Sequence, residues 1–506
     1  MKTAFMMPEY DWAAKAKGVR DLERDLDEMR EYYRHGNTRE ASWRRSQLKG
    51  LLTLLEEKEG DIFKALMHDL GKHHVEAFRD EIGTLTKSLH FALGSLKKWM
   101  SGRKAKLPQI ALLTTANIVP EPLGLVLVFS SWNFPFGLSL EPLIGAIAAG
   151  NTVVLKPSEL APACASFLAN TIPAYVDNRA IKVFQGGQAV GEQLLLQKWD
   201  KIFFTGSARI GRLVMSEAAK HLTPVTLELG GKCPAVVDSL SSSWDRKATV
   251  KRILAGKFGA CAGQACIAID YVLAEKELAP ALVESMKVKI NEMFGKNPKD
   301  SHSIARIINK QHFLRLKNLL EEPRVKASIV FGGSLDEDSL FIEPTILVNP
   351  PLEAAIMTEE IFGPILPIIT LEKIEDSIQF LNSRPKALAI YCFTKNKSLE
   401  RKMISETSSG SMVFNDAIVQ YAADTLPFGG VGGSGMGRYH GKFSFDTFSH
   451  EKAIMRRSFL SDFWFRYPPW NANKLQLLES AYEYDYLGLL LTILGLKRSR
   501  RESYTT

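Results

Sequence analysis

The spacing of apolar residues changes once along the chain. Between residues 18 and 100, apolar residues such as Leu51, Leu52 and Leu54 recur at intervals of three and four among charged ones, which predicts amphipathic helices. From about residue 111, short β-rich apolar runs alternate with helical stretches. The runs are ALLTTANIVP, LGLVLVFSS, NTVVLKP, IKVFQGG, KIFFTGS and PVTLELGG, and LIGAIAAG, APACASFLANTIP and GEQLLLQ lie between many of them. This alternation predicts βαβ units around a largely parallel sheet that is covered on both faces.

A second series of apolar runs follows Cys266. Its members are DYVLAEK, SIVFGG, FIEPTIL, PILPIITL, ALAIYCFT and GSMVFND. A chain of 506 residues is too long for one simple core, so two or more domains are expected. The two series therefore predict two α/β lobes, with Cys266 near their junction.

The C-terminal tail has a different pattern. An aromatic, proline-containing segment (FLSDFWFRYPPW) follows Arg456 and Arg457, and an apolar run of 11 residues extends from Tyr486 to Leu496. A helix needs about 20 residues to cross a bilayer, so this run is too short to span one. Two main interpretations stay open: a helix packed on the body of the protein, or an interfacial helix with the basic cluster 497–501 on anionic headgroups.

Composition and charge exclude several classes of function. The chain is 45% hydrophobic and 24% charged, as expected of a soluble globular protein, and its net charge is +8. A charge of this size is compatible with anionic ligands or a membrane surface. No aromatic-studded basic stripe and no zinc spacing occurs, so we expect neither nucleic-acid binding nor a metal.

The cysteines and the N-terminus indicate a cytoplasmic location. The five cysteines are scattered and odd in number, which suits a reducing compartment better than a disulfide framework. The first residues lack a long apolar core, and acidic Asp21, Glu23 and Asp25 follow soon after. A secretory signal or a transit peptide is therefore not expected.

Two neighbouring segments carry candidate chemistry. FGACAGQACIA (258–268) sets Cys266 in a bend of small residues, where a substrate can approach the sulfur. TLELGG (226–231) embeds the carboxylate of Glu228 among apolar residues, where its pKa should be raised. A nucleophilic thiol with a separate base suggests covalent catalysis in two half-reactions. Taken alone, however, a buried free cysteine is more often a small apolar packing residue.

Three further segments add polar groups at strand ends. SSWNFPFGL presents Asn133, whose amide could stabilise an oxyanion or simply satisfy a turn. NTVVLKPSE ends in Lys156 and Glu159, which could hold ribose hydroxyls or form a surface ion pair. IFFTGSARIG places Gly206 and Ser207 between a strand and a helix, where free N–H groups suit a pyrophosphate. The GxGxxG fingerprint is absent, so the last turn alone is weak evidence for a dinucleotide.

Together with EEIFGP (359–364) and LPFGGVGGSGMG (426–437), these segments resemble the aldehyde dehydrogenase superfamily in content, order and spacing, from about residue 20 to 455. DLGK (69–72), GRYHGKFSFDTFSH (437–450) and the apolar, basic tail resemble the class 3 branch, which includes fatty aldehyde dehydrogenases. The resemblance implies an α/β fold of two Rossmann-type lobes, one cofactor-binding and one catalytic, with a small oligomerisation hairpin.

The resemblance also implies domain boundaries. Residues 1–101 and 122–229 would form the NAD(P)-binding domain, and 230–436 the catalytic domain. Residues 102–121 and 437–455 would form oligomerisation elements that give a homodimer, and 456–506 a C-terminal extension.

Three residues would carry the chemistry that the resemblance implies. Cys266 would add to an aldehyde to give a thiohemiacetal and, after hydride transfer to nicotinamide, a thioester. Asn133 and the backbone N–H of Cys266 would hold the oxyanion. Glu228 would activate the water that releases the carboxylic acid.

Other residues would bind the cofactor or border the substrate. The cofactor-binding set would be Lys156, Glu159, Gly206, Ser207, Leu229, Glu360 and Phe362. In this set, Lys156 and Glu159 would lie at the adenosine ribose, Ser207 at the pyrophosphate and Glu360 at the nicotinamide ribose, with Phe362 packed beside it. Phe428 would border the substrate or cofactor pocket.

Substrate and partners are expectations of the same kind. The apolar tail favours medium- or long-chain aldehydes and contact with the cytosolic face of an internal membrane such as the endoplasmic reticulum. Glu159 would repel a 2′-phosphate, which favours NAD, although NADP is often accepted by class 3 relatives. Two alternatives are a CoA-acylating enzyme, which would not need Glu228 as a water-activating base, and a non-catalytic membrane-associated paralogue.

Overall fold

The computed structural model describes residues 12–108, 111, 113–460 and 462–496, with side chains from residue 21 onward. The N-terminal stretch, in which neither a secretory signal nor a transit peptide is expected, lies partly outside these residues. The basic cluster 497–501 lies wholly outside them. The helices α1 to α19 run, in chain order, over Trp12–Arg34, Ala41–Glu57, Glu59–Leu70, His74–Ala77, Gly83–Met100, Gly137–Ala149, Pro162–Thr171, Gln188–Leu195, Ala208–Ala219, Ser243–Phe258, Ala279–Phe294, Lys310–Glu321, Pro323–Lys326, Ala355–Thr358, Asp376–Asn382, Lys397–Glu406, Gly441–Thr447, Ala472–Tyr482 and Tyr486–Ile493.

The strands β1 to β18 run over Arg103–Lys104, Thr114–Pro122, Leu125–Phe129, Thr152–Lys156, Ile181–Val183, Lys201–Thr205, Val225–Glu228, Cys233–Val237, Ile269–Glu275, Ile329–Phe331, Leu335–Asp336, Phe341–Ile342, Thr345–Val348, Ile365–Leu371, Ala389–Phe393, Ser411–Phe414, Gly435–Met436 and Ser449–Arg457. A π-helical turn, Phe78–Ile82, lies between α4 and α5, and a short 3₁₀ turn, Cys261–Gly263, precedes β9.

The first large sheet has the strand order β17-β7-β6-β3-β4-β5. Strands β3 to β7 are parallel, and β3 lies between β4 and β6, so the chain order reverses on either side of β3. Ligands bind at such a switch point, beyond the carboxyl ends of the strands. The apolar side chains of β3, β6 and β7 share one core cluster with Leu22, Leu26 and Met29 of α1.

The second large sheet has the order β10-β13-β14-β9-β8-β15-β16, and all its strands except β10 are parallel. Strand β8 (CPAVV), which lies beside the central strand β9, is wholly buried. The apolar pattern missed β8 because the run is short and contains Pro234. The prediction of two Rossmann-type α/β lobes is confirmed, since each sheet is a mainly parallel, helix-flanked unit.

The described residues within 97–121 and 450–496 form a separate compact unit. Within it, β1 and β2 pair as an antiparallel hairpin in the region 102–121, and the three-stranded sheet has the order β1-β2-β18. The tail forms α18 and α19. Among the described residues, every helix is too short or too polar to qualify as a membrane span. The assignment of the hairpin and the tail to subunit or membrane contacts stays a prediction.

Candidate active site

Two cavities meet at Cys266 and Glu228. The first is lined by polar and aromatic residues of both lobes, including Asn133, Ser207 and Glu360. The second is lined mainly by apolar and aromatic side chains, including Phe428. Four residues line both cavities: Leu138, Thr205, Glu228 and Cys266. A reacting group at Cys266 is therefore reached from two sides of different polarity.

The loop that carries Cys266 is tightly turned. Cys261 and Ala262 both adopt left-handed backbone conformations with φ of 51°, which non-glycine residues rarely do. The buried side chain of Gln264 stabilises this turn, because its amide donates to the carbonyls of Cys261 and Arg306, each at 2.9 Å, and its oxygen accepts from Ile308 N at 3.1 Å. Such strain commonly accompanies functional sites, where the surrounding contacts hold it in place.

The surroundings of Cys266 favour its neutral thiol. Burial raises the pKa of the thiol to about 12, and the negative charges of Glu360 and Glu228 add to the effect. The backbone N–H groups of Cys266 and Ile267 act in the opposite direction. Since the thiolate is the nucleophile, the thiol has to lose its proton to a base during the reaction.

Glu228 ends β7 in an apolar setting, as expected from TLELGG. Its side chain is buried, and neither carboxylate oxygen has a hydrogen-bond partner among the described residues. Burial raises the pKa of Glu228 well above its usual value, in agreement with the sequence-based expectation. A carboxylate with a raised pKa is a suitable base for taking a proton from water near neutral pH.

Asn133 follows β3 and is buried beside the Cys266 loop. The side-chain amide of Asn133 donates to the backbone carbonyl of Gln264 at 2.9 Å. The backbone carbonyl of Asn133 accepts from Lys72 Nζ at 2.8 Å. An amide nitrogen carries two hydrogens, so one remains for a ligand. Asn133 lines the first cavity together with Cys266 and Glu228, so the three predicted catalytic residues lie in one place.

Five of the seven predicted cofactor-binding residues line the first cavity: Gly206, Ser207, Leu229, Glu360 and Phe362. Lys156 and Glu159 do not line it but lie one strand away, at the end of β4, where Lys156 Nζ and Glu159 Oε2 are 2.6 Å apart. The ion pair that the sequence left open as an alternative is thus present.

The turn after β6 fits a phosphate group. Ser207 is the N-cap of α9 and accepts from Ile210 N at 3.4 Å, while the first amides of the helix face the same end of the sheet. A Cβ atom on Gly206 would come within 2.6 Å of the Phe204 ring, so any larger residue there would have to displace that ring. Together with the dipole of α9, these donors match the diphosphate of a dinucleotide.

The Glu360 carboxylate lies close to two consecutive glycines, Gly230 and Gly231. This carboxylate accepts from Gly231 N at 3.0 Å, and a Cβ atom on Gly230 would lie 2.2 Å from one of its oxygens. Burial and the charge of Asp270 raise the pKa of Glu360 to about 8. A carboxylate fixed in this way can accept hydrogen bonds from ribose hydroxyls.

Phe362 and Phe428 lie on opposite sides of the nucleophile. Phe362 has a positive φ of 53° and packs edge-on against Trp132 in the first cavity, with ring centroids 5.3 Å apart. Phe428 lines the second cavity and packs edge-on against Tyr421, with ring centroids 5.5 Å apart. The sequence left open whether Phe428 borders the substrate or the cofactor; the geometry puts it on the apolar side.

Several lining residues were not identified from the sequence. Thr205 immediately precedes Gly206, so the motif itself could have indicated it, and its buried hydroxyl has no hydrogen-bond partner among the described residues. His312 and Arg315 belong to α12 and Tyr421 to a short 3₁₀ turn, Val419–Ala422, and no motif marks them. Burial lowers the pKa of His312, which favours the neutral imidazole.

No metal was expected, and one group of potential ligands lies in the described part of the chain. Glu141, Asp424 and His440 are buried close together. Asp424 already has partners, because Lys87 Nζ lies 3.1 Å from it and the Ser88 hydroxyl donates to it at 3.0 Å. We therefore assign no ion to this cluster.

Most of this chain is similar in sequence to known proteins. The model of the aldehyde dehydrogenase family matches residues 12–454. Aldehyde dehydrogenase family 3 member F1 of Arabidopsis thaliana is 56% identical over 94% of this chain and 99% of its own length. Aldehyde dehydrogenase family 3 member A2 of Rattus norvegicus is 42% identical over 90% of this chain and 93% of its own length.

The fold is also similar to that of a solved structure. The substrate-bound state of Staphylococcus aureus AldH superimposes with a TM-score of 0.86 at 39% identity, covering 92% of this chain and 99% of that one. The resemblance to the class 3 branch is thus confirmed by relatives that are themselves family 3 members. The chain belongs to the aldehyde dehydrogenase family, and its activity is the NAD(P)-dependent oxidation of aldehydes.

Proposed function

We propose that this enzyme oxidises apolar aldehydes of medium or long chain to carboxylic acids, with Cys266 as the nucleophile. The supporting observation is the pair of cavities that meet at Cys266. The polar cavity, with Ser207 and Glu360, suits the dinucleotide, and the apolar cavity, with Phe428, suits a hydrocarbon chain. Burial of a hydrocarbon chain contributes about 0.8 kcal/mol per methylene, which favours longer aldehydes.

In the first half-reaction, the Cys266 thiol releases its proton to solvent water, and the resulting thiolate adds to the aldehyde carbon and forms a thiohemiacetal. The free hydrogen of the Asn133 amide and the backbone N–H of Cys266 stabilise the oxyanion. The bound nicotinamide supplies the hydride acceptor, so that a thioester remains on Cys266. The first cavity has the donors and the acceptor that such a cofactor needs at its phosphates and ribose.

In the second half-reaction, Glu228 takes a proton from water. The resulting hydroxide adds to the thioester carbon, the carbon–sulfur bond breaks, and the carboxylic acid leaves while Cys266 returns as the thiolate. The isolated position of the Glu228 carboxylate supports this role, because neither oxygen is engaged by another described residue.

We further propose NAD as the preferred cofactor. Glu159 stands at the end of β4, the position from which an acidic residue reaches the ribose 2′-hydroxyl in Rossmann-type domains. A 2′-phosphate at this place would be repelled by its charge. The Lys156 partner at 2.6 Å reduces that repulsion, so NADP is expected to be accepted with lower affinity.

The tail is proposed to contact a membrane surface, on the cytosolic side of an internal membrane. The segment 459–496 exposes a dense set of large apolar and aromatic side chains: Phe459, Leu460, Trp464, Tyr467, Trp470, Tyr486, Leu487, Leu490, Ile493 and Leu496. Aromatic and aliphatic residues flanked by basic ones are typical of interfacial segments. The hairpin 102–121 and residues 437–455 are proposed to contact a second subunit in a homodimer.

The first experiment measures NADH formation on aldehydes of increasing chain length and identifies the acid product with and without CoA. Wild type, Cys266→Ala and a truncation after residue 470 are compared. We expect free acid without CoA, no turnover by Cys266→Ala, and a loss in the truncation that is largest for long chains. Formation of acyl-CoA only in the presence of CoA would instead support the acylating alternative. Equal activity on short and long aldehydes would contradict the proposed substrate class.

Flotation with anionic vesicles tests the tail separately. Full-length protein should float with the vesicles, and the truncation after residue 470, which keeps the exposed side chains from Phe459 to Trp470, should float more weakly. A truncated protein that floats as well as the full-length protein would contradict a role for residues 471–506. Sedimentation equilibrium on the full-length protein tests the homodimer, and a monomer at micromolar concentration would contradict it.

A further inference from the structure

The segment 72–81 buries charged groups beneath the catalytic loops. Lys72 and Glu81 form an ion pair of 2.7 Å in which both side chains are fully buried. Glu76, from the same segment, is also buried. Burial is the largest influence on the pKa of Lys72 and lowers it, but the negative charges of Glu81, Cys261 and Glu76 and the hydrogen bond to Glu81 together outweigh burial and hold that pKa above its usual value.

The Lys72–Glu81 pair holds the Asn133 loop at both ends. Lys72 Nζ donates to Asn133 O at 2.8 Å and lies 4.1 Å from the centre of the Phe134 ring. The second oxygen of Glu81 accepts from Phe136 N at 2.8 Å and from Gly137 N at 3.2 Å. These amides open α6, whose residues are all buried, so Glu81 satisfies donors that water does not reach.

The same segment holds the nucleophile loop. Glu76 Oε1 accepts from Cys261 N at 2.6 Å, and Arg79 donates to Gly259 O at 2.7 Å. One short stretch of chain thus contacts both the loop of the amide donor and the loop of the thiol. Its own geometry fixes the distance between those two loops.

A π-helical turn makes this double contact feasible. In an α-helix, residues five apart point about 140° away from each other, because each residue rotates by about 100°. The π-turn Phe78–Ile82 is wider, so each of its residues rotates by less, and both Glu76 and Glu81 face the protein interior. Single π-turns inside helices frequently occur at functional sites.

Stability alone does not account for a buried ion pair. Desolvation of the two charges offsets much of their attraction, and apolar or neutral replacements of a whole pair are often neutral or stabilising. A pair that contacts the backbone of a catalytic loop can instead act on that loop's position.

We propose that the Lys72–Glu81 pair positions Asn133, so that the Asn133 amide is directed at the oxygen of the aldehyde bound to Cys266. Lys72 and Glu81 are positioning residues, since they act through the loop and do not line either cavity. The proposal rests on the proposed function, which assigns the oxyanion to Asn133.

The test removes both charges of the pair together, so that neither Lys72 nor Glu81 is left as the unpaired partner. In Lys72→Met/Glu81→Gln, the glutamine oxygen still accepts from the first amides of α6, whereas the link to the Asn133 carbonyl is lost. The matched control is Lys182→Met/Asp25→Asn, which neutralises another ion pair of 2.7 Å in the same lobe, between α1 and β5. Steady-state kcat, cofactor KM and thermal unfolding are measured for both.

We expect kcat of Lys72→Met/Glu81→Gln to fall by about 10²-fold, the cost of a small misplacement of a catalytic group, with cofactor KM unchanged. The control should keep wild-type kcat. Lys72→Gln/Glu81→Gln provides a rescue, because its glutamine at 72 can again donate to the Asn133 carbonyl. It should recover part of kcat.

A double-mutant cycle with Asn133→Ala separates positioning from a general structural role. Since the pair acts through Asn133, Lys72→Met/Glu81→Gln should change kcat by less than about threefold in an Asn133→Ala background. Effects that multiply, an unchanged kcat, or equal kcat for the methionine and glutamine variants at 72 would each overturn the inference. Full activity of Asn133→Ala or Cys266→Ala would overturn the proposed function itself.

Discussion

The two cavities beside Cys266 are built in opposite ways. The cavity that we propose for the cofactor is lined by residues at strand ends and glycine turns, including Gly206 and Ser207, and by the carboxyl groups of Glu228 and Glu360. The aldehyde-side cavity is made of apolar and aromatic side chains from distant parts of the chain, including Phe134, Ile267, Tyr421 and Phe428. The first can recognise one ligand by hydrogen bonds, whereas the second can only select by volume and polarity.

Glu228 and Cys266 belong to both cavities, so their substitution should have the largest effect. Glu228→Gln removes the proposed base but keeps the shape of the side chain, and we expect steady-state kcat to fall by ~10²- to 10⁴-fold, the usual contribution of a general base. The first turnover should still release NADH, so a burst equal to the enzyme concentration is expected. Rapid-mixing absorbance at the NADH band measures both quantities.

The pH dependence follows from the raised pKa of Glu228. The base acts only when ionised, so thioester hydrolysis in the wild type should be slow at low pH and increase as pH rises through that pKa. Glu228→Gln should lack this increase. Loss of the burst together with kcat would contradict the assignment, because Glu228 would then act before hydride transfer.

The next prediction concerns the cofactor side alone. Gly230→Ala would place a methyl group 2.2 Å from a Glu360 oxygen, whereas Gly231→Ala would place one no closer than 3.7 Å to its neighbours. Overpacking of this kind costs about 1–3 kcal/mol, so Gly230→Ala should weaken NAD binding by about tenfold or more. Gly231→Ala is the matched control and should bind NAD nearly as the wild type does. Fluorescence titration with NADH measures the affinities, and equal affinities would show that Glu360 does not contact the cofactor.

The aldehyde side should respond differently. Phe428→Leu alters the apolar wall, and changes of this size in an apolar pocket alter kcat/KM by about 10- to 200-fold at most. We expect the effect to grow with aldehyde chain length and to leave the KM for NAD unchanged. Phe362→Leu, in the other cavity, should raise the KM for NAD and have an effect that does not depend on aldehyde chain length. A Phe428→Leu variant with uniform loss over all chain lengths would indicate a role in folding rather than in selection.

The contrast between the cavities also explains what the sequence could predict. Gly206 and Ser207 are recognisable from the sequence because they follow strand β6 in one contiguous strand–turn–helix motif, whereas Glu360 is assigned only through the family resemblance. Tyr421 and Ile418 were not predicted. They lie in and directly before a short 3₁₀ turn, Val419–Ala422, where single apolar or aromatic residues have no local signature. DLGK was noticed as a motif, yet its lysine acts through a contact with Asn133, 61 residues away along the chain.

Fold prediction met the same limit. The alternation of apolar runs and helices indicates two α/β lobes, because periodicity is a local property. Strand order is not local, and β17 demonstrates this: Gly435 pairs with Glu228 of the first sheet although it lies after the second sheet in sequence. That pairing brings the glycine-rich turn VGGSGMG beside the base, which no periodicity could indicate.

The smallest expected effect lies at the outer end of the cofactor site. The Glu159 side chain is 42% exposed, and Lys156 partly neutralises its charge through their ion pair. We therefore expect Glu159 to contribute modestly to cofactor choice. Glu159→Gln removes the repulsion of a 2′-phosphate and should raise kcat/KM for NADP by a few-fold, about 1 kcal/mol or less, with little change for NAD. The ratio of the two kcat/KM values measures the effect.

Lys156→Met is the complementary change, since it leaves Glu159 without its counter-charge and should lower the ratio of NADP to NAD activity. Because Lys156 and Glu159 do not line the apolar cavity, neither variant should alter chain-length preference, and a change in that preference would contradict the separation of the two cavities.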